Sequence, residues 1–222
     1  MPRRAILIMG ALIILLAIVL ITWQFFARSG STIQSEPYQE TFDSIGTWTT
    51  GEDISAVGIV AGGVYEMSLE QSGDIFWVTA GQTFADGEYE VEITPLEGTQ
   101  DNGYGMLFRV NEEDDSFYLF KISSDGFVYI GHCADSCLEQ KPLVGQDWFA
   151  SPSVKQGFDV TNRLRAVVSG SEMIFYVNGE EVGQTSNDAL GQGDIGLMAE
   201  TFTPGGLRVT FDNFTVLPLV DE

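Results

Sequence analysis

Glu88-Tyr89-Glu90-Val91-Glu92-Ile93 is the stretch that decides the fold. Successive side chains of a strand point to opposite faces, so three carboxylates share one face and Tyr89, Val91 and Ile93 the other. Working outward, Tyr104, Met106, Phe108 and Val110 share a face, and residues 116–123 are largely apolar on both faces, as a central strand of a two-layer structure would be. The acidic residues 111–115 between them read as the tip of a hairpin. Ser124-Asp125-Gly126 turns the chain into residues 127–130. Further on, Leu164, Ala166 and Val168 alternate, Gly170-Ser171 turns the chain, and residues 173–177 run into Asn178-Gly179, a strong type I′ hairpin signal. The last strands are residues 195–199 and 207–216. Phe211 and Phe214, three positions apart, can face one core only if a β-bulge lies near Asp212-Asn213. Asn162 is expected to cap a strand or turn with its amide. Short runs of Val, Ile, Phe and Tyr, broken by 25 glycines, predict an all-β, two-sheet antiparallel sandwich without internal repeats.

The chain has 222 residues, 44% hydrophobic and 19% charged, a globular or membrane-associated composition. Fifteen Phe, seven Tyr and four Trp are enough for a sizeable core. Formal net charge is −22, and from Pro37 onward seven bases face 31 acids. That balance excludes nucleic acid as a partner, because phosphate binding needs a basic footprint, and it disfavours anionic membrane surfaces. A single histidine, His132, excludes most histidine-dependent chemistry.

Residues 5–26 carry no charge, and Gln24 is their one strongly polar side chain. About 20 such residues span a bilayer as a helix. Arg3 and Arg4 precede the run, Trp23 sits near its far end, and the first acids after it are Glu36 and Glu40. The positive-inside rule then predicts a signal-anchor: residues 1–4 cytoplasmic, 5–26 a transmembrane helix, 27–36 a polar linker, and 37–218 an extracytoplasmic domain of a single-pass cell-membrane protein. A cleaved signal peptide is the rival reading; its apolar region would be about 7–15 residues long. Ala27-Arg28-Ser29 is a poor cleavage site.

Several motifs recur in a familiar order: Phe108-Arg109, Phe117-Tyr118-Leu119-Phe120, Ser124-Asp125-Gly126, Asn162-Arg163-Leu164-Arg165, Phe175-Tyr176-Val177-Asn178-Gly179, Gly193-Asp194-Ile195-Gly196-Leu197 and Phe211-Asp212-Asn213-Phe214. The order and spacing resemble the concanavalin A-like jelly rolls of bacterial surface proteins, including those described as 3-keto-disaccharide hydrolase or family-16-glycosidase-like, over residues 38–217. The resemblance implies a jelly-roll sandwich. It leaves function open, because such folds carry lectins, glycanases and interaction modules alike.

A retaining glycosidase needs two carboxylates about 5–5.5 Å apart. Family-16 glycosidases use Glu-x-Asp-x-x-Glu on a strand, and the nearest match here, Glu88-x-Glu90-x-Glu92, lacks the Asp and the one-residue slip. These glutamates therefore read as a solvated outer face. Breakdown of an oxidised sugar is implied only by the resemblance. The readings carried forward are a non-catalytic, membrane-anchored carbohydrate-binding module, a sugar hydrolase, and a protein-interaction ectodomain. Aromatic faces and planar hydrogen-bonding groups make a sugar platform, and the candidates are Trp77, Tyr104, Arg109, Tyr118, Tyr129 and Trp148. Arg109 and Tyr118 in particular are expected on a groove open to solvent; because Arg109 interrupts the apolar run Leu107-Phe108-Arg109-Val110 and needs water or a partner, a salt bridge to one of the many acids is its alternative. Cys133 and Cys137 read as a disulfide in an exported domain; zinc, with His132, and a free dithiol are the alternatives. The only cofactor considered is a structural calcium ion, which the resembled jelly rolls often hold, with Asp43 and Asp212 as its ligands.

Overall fold

Residues 87–96, 162–169 and 172–177 alternate in burial as their sequence alternates in polarity, whereas residues 116–123 are buried on both faces. The computed structural model describes residues 32–52, 55–134, 136–137 and 139–219. The expected membrane segment, residues 5–26, lies outside the described residues, among which no helix is long and apolar enough to cross a membrane.

The strands in chain order are β1 (Tyr38–Glu40), β2 (Gly51–Glu52), β3 (Ala56–Ala61), β4 (Val64–Leu69), β5 (Ile75–Phe84), β6 (Gly87–Gly98), β7 (Gly103–Asn111) and β8 (Ser116–Ser123). They continue as β9 (Phe127–Cys133), β10 (Gln140–Pro142), β11 (Phe149–Ala150), β12 (Asn162–Ser169), β13 (Glu172–Val177), β14 (Glu180–Ser186), β15 (Gly193–Glu200) and β16 (Leu207–Pro218). A nine-stranded sheet runs β14-β13-β12-β6-β16-β4-β3-β2 with β1 added to β16, and a seven-stranded sheet runs β10-β9-β8-β7-β15-β5 with β11 added to β9. All the strand pairings are antiparallel.

The core lies between the sheets. Strand β6 delivers Tyr89, Val91 and Ile93 to it while its glutamates face outward. From the facing sheet come Tyr104, Met106, Phe108, Tyr118, Phe120 and Leu197, all fully buried. Phe108 stacks on Tyr118 at 5.4 Å and tilts against Tyr89 at 5.5 Å, so rings from both sheets interdigitate.

Local chemistry sets the details. The β7–β8 hairpin forms around the acidic tip, with Gly103 opposite Ser123 and Phe108 opposite Tyr118. Asn178 and Gly179 both take positive φ, 52° and 88°, as a type I′ turn requires. Asn162 is buried: its Oδ1 accepts the Lys155 N–H and its Nδ2 donates to the Lys155 carbonyl, tying a loop to β12. The β16 register shifts between Asp212 and Thr215, with Asn213 at φ 51°, and both Phe211 and Phe214 are fully buried. Val110 differs from expectation. A register shift between Phe108 and Asn111, with Arg109 at φ 52°, turns Val110 to the opposite face from Tyr104, Met106 and Phe108, where it packs with Leu107. Alternation across a bulge slips by one residue.

Candidate functional site

Two surfaces concentrate polar chemistry. The first is the outer face of the larger sheet, where β6 and β12 pair with Glu92 opposite Arg163 and Glu90 opposite Arg165. A groove of about 790 Å³ lies over it. Arg163 donates to Glu92 at 2.8 Å and lies 3.6 Å from Glu90, while Arg165 donates to Glu88 at 3.1 Å. Hydrogen bonds from Arg163 and Asn213 hold the Glu92 carboxyl below its ordinary value; burial pushes Glu90 above its own, against Arg163 and Arg165. One guanidinium thus holds both carboxylates, and no aromatic side chain lines the groove. Cross-strand ion pairing accounts for this face.

The second surface is the outer face of the smaller sheet. It is filled rather than open: Leu107, Phe117, Leu119 and Met198 are fully buried there, with Trp77 and Trp148 packed over them. Set into this apolar layer is an ion pair between Lys121 of β8 and Glu200 of β15, only 1% and 5% exposed. The Lys121 ammonium donates to Glu200 Oε1 and to Gln140 Oε1 (2.6 Å), and lies 4.6 Å and 5.0 Å from the ring centres of Tyr129 and Trp148. Gln140 in turn donates to Glu200 Oε2 at 3.1 Å. Burial lowers the lysine pKa, and Glu200 opposes it. Such a pair is tolerated because every charge-bearing atom has a partner. Gly103 makes room for it: a Cβ there would lie 2.6 Å from Glu200 Oε1 and 3.1 Å from the Trp148 ring.

Antiparallel pairing brings one end of β5, β7, β8, β9 and β15 together, since Gly103 opposes both Ser123 and Glu200, and Glu200 opposes Ile75. The turns leaving that end frame a shallow, open cavity of about 410 Å³. Its aromatic wall is Phe127, Trp148 and Phe202; its polar wall is Asp101, Asp125 and Asp147, with Ser123 at the strand end. Phe127 and Phe202 are 37% and 38% exposed, large for phenylalanine, and Trp148 meets Phe202 edge-on at 6.4 Å. Asp125 accepts from the Ser123 hydroxyl, and Asp147 from the Trp148 N–H at 2.8 Å. Burial, then the charges of Asp147 and Glu200, push the Tyr129 phenol up.

No protein-family model matches the chain, and no curated protein matches it. Solved structures do. A carbohydrate-binding module, CBM66, from Bacillus subtilis superposes with a TM-score of 0.61 at 14% identity, over 77% of this chain and 94% of that one. A prokaryotic β-1,3-1,4-glucanase (lichenase) from a mouse hindgut metagenome gives 0.62 at 12% identity, over 82% and 99%. The Bacillus licheniformis β-glucanase gives 0.57 at 12% identity, over 84% and 100%. The described domain is a two-sheet antiparallel jelly-roll sandwich, similar in fold to these structures. At these identities the likeness is one of fold.

The jelly roll separates the six expected platform residues. Trp77, Tyr129 and Trp148 share the outer face of the smaller sheet, and Trp148 reaches the cavity. Arg109, Tyr118 and Tyr104 go elsewhere: the two tyrosines are buried rather than on a groove, and Arg109 takes its alternative, a salt bridge to an acid. Arg109 is 1% exposed and closes the opposite end of the sandwich. Its guanidinium donates to the carbonyls of Ala85 (3.4 Å), Gly170 (3.0 Å) and Leu190 (2.8 Å) and to Asp86 Oδ1 (2.7 Å). The bulge that turns Val110 outward turns Arg109 inward, where three carbonyls and a carboxylate satisfy it. The buried Tyr118 hydroxyl donates to Asn187 Oδ1 at 2.6 Å and accepts from the Leu190 N–H, and the Tyr104 hydroxyl bonds to Ser124.

Cys133 and Cys137 form a disulfide, so the zinc alternative loses its thiolates. Burial, then Lys141, hold His132 below its ordinary value, and its ring lies 5.2 Å from that of Tyr118. The terminal strands β1 and β16 pair, and burial raises the Asp212 carboxyl above its ordinary value, opposed by the Asn213 N–H and aided by the charges of Glu92 and Asp43. Asp43 Oδ2 accepts from the Thr41 hydroxyl, and Asp212 Oδ1 from the Asn213 N–H. Among the described residues no three His, Cys, Asp or Glu side chains gather as a metal site. Asp43 and Asp212 would need backbone or water oxygens to complete a calcium shell.

Asp101, Asp125, Phe127, Asp147 and Phe202 are absent from the expected set. The hairpin carried a signal for two of them: if residues 103 and 123 oppose each other, Asp101 and Asp125 emerge together. Phe202 depends on β15 lying beside β7, a long-range pairing.

Proposed function

We propose that this chain is a carbohydrate-binding module that holds a saccharide in the cavity walled by Phe127, Trp148 and Phe202. The observation that carries this is three aromatic side chains, two of them unusually exposed, converging with carboxylates on one concavity. Sugar rings present apolar C–H faces that stack on aromatic faces, and their hydroxyls donate to carboxylates, which only accept. The β7–β8 hairpin and β15 hold these groups at strand ends, which favours a preformed site. The groove over Glu88, Glu90 and Glu92 supports catalysis poorly, because Arg163 engages two of its carboxylates. The binding reading is therefore non-catalytic. A disulfide and a strongly acidic surface suit an extracytoplasmic domain, tethered by residues 5–26 as a single-pass anchor. On this reading the partner is a cell-surface or environmental glycan.

The test is glycan-array binding by the full-length chain in detergent, with Trp148→Ala beside it. Saccharide binding lost in the variant is expected. Binding to no glycan, or release of reducing sugar from the bound glycans, refutes the proposal.

A further inference from the structure

We infer that the ligand of the Trp148 cavity carries a protonated amine, that is, an amino sugar with its nitrogen unacylated. This rests on the carbohydrate reading above and narrows it. Every titratable side chain on the cavity wall is an acid: Asp101, Asp125 and Asp147. Among the described residues none of the three is ion-paired. The nearest base does not neutralise them. Lys121 is buried, and its ammonium is committed to Glu200 and Gln140 beneath the Trp148 ring.

The aromatic wall fits the same conclusion. An ammonium over an aromatic face is attracted by the ring quadrupole, and carboxylates beside the ring add to the attraction. Trp148 already meets one ammonium, that of Lys121, at 5.0 Å, and the cavity offers a second cation Phe127 and Phe202 as well. A neutral sugar would use the rings but gain nothing from the charge of the three carboxylates. A uronic acid would be repelled by all three, a strong selection against acidic glycans. A bare divalent cation is the poorer occupant, because no three acids among the described residues gather as a metal site. The negative charge is spread around an open cavity with an aromatic wall, which suits an ammonium carried on a larger ring.

The experiment is calorimetric titration of the full-length chain in detergent with four probes: a glucosamine trisaccharide, its fully N-acetylated counterpart, a neutral glucose trisaccharide and trilysine. At about pH 5.5, where amines are charged, the glucosamine trimer should bind at least about tenfold more tightly than either uncharged trimer. That advantage should disappear at about pH 9 as the amines lose their protons. It should shrink in Asp147→Asn, and binding should weaken by about tenfold or more in Trp148→Ala. If the uncharged trimers bind as well as the glucosamine trimer, the amine inference is overturned and the carbohydrate reading survives. If no trisaccharide binds, both fall. If trilysine matches the glucosamine trimer and Trp148→Ala changes neither, the attraction is charge alone, and the inference is overturned.

Discussion

Arg109→Ala tests whether the guanidinium is a structural clamp. Arg109 gathers the ends of three connections, since Ala85 and Asp86 follow β5, Gly170 lies between β12 and β13, and Leu190 precedes β15. Asp86 is also bound to the Gly170 N–H through its other oxygen, so one ion pair holds two turns. Removing one partner of a buried charge pair costs about 3–5 kcal/mol. Asp86 is 35% exposed and can rehydrate, which places the expectation toward the low end of that range, with the three carbonyls supplying most of the loss. For a domain of this size each kcal/mol moves the melting temperature by roughly 2–4 °C, so a fall of about 6–15 °C is expected. Thermal unfolding followed by near-ultraviolet circular dichroism reads it. Arg109→Gly removes the same bonds and relaxes the positive φ, a strain worth about 1 kcal/mol, so it should melt above Arg109→Ala. A melting temperature within about 2 °C of wild type in both variants, the behaviour of an ordinary surface substitution, would refute the clamp.

Glu200→Gln leaves the Lys121 ammonium buried without a counter-charge and should cost about 3–5 kcal/mol, with much of the loss recovered in Lys121→Met/Glu200→Gln; a double-mutant cycle showing no coupling contradicts the pair. Burial raises the Asp194 carboxyl to about 6, against N–H bonds from Gln82, Ile195 and Gly81, so the folded state holds a proton that the unfolded state, with its value near 3.8, releases. Stability should therefore fall, by up to about 3 kcal/mol, as pH rises from about 4 to about 6. Urea midpoints that rise over that window in wild type, or an unchanged slope in Asp194→Asn, count against it. Reducing the disulfide opens a very short loop and should cost about 2 kcal/mol, a melting shift of roughly 4–8 °C; mass spectrometry of unreduced protein showing two free thiols would remove the basis of that expectation.

What was legible in the sequence was whatever strand alternation and turn chemistry could carry alone. The wet and dry faces of β6, the acidic hairpin tip, the Asn178-Gly179 turn and the bulge before Phe214 all depend on residues within a few positions of one another. Arg109 was misplaced because a bulge is invisible to a period-two pattern, and one extra residue exchanges the faces of everything after it. Its place in Leu107-Phe108-Arg109-Val110 signalled a charge needing a partner, but the partners come from three distant turns. The Trp148 cavity was half legible. Trp148 is an aromatic candidate in the sequence, whereas Phe202 reaches it only because β15 lies beside β7, and Asp147 only because β11 pairs with β9. Lys121 and Glu200 were missed for the same reason, being neighbours only across strands 79 positions apart.

The central claim is that saccharide sits at the Trp148 cavity and not over the glutamate ladder of β6. A crystal structure of the chain with its best-binding oligosaccharide from the glycan array tests this directly. A sugar ring stacked on Trp148, with hydroxyl or amine groups on Asp101, Asp125 or Asp147, is the expected result. A sugar held between Glu90, Glu92 and Arg163, with the Trp148 cavity bare, would contradict it.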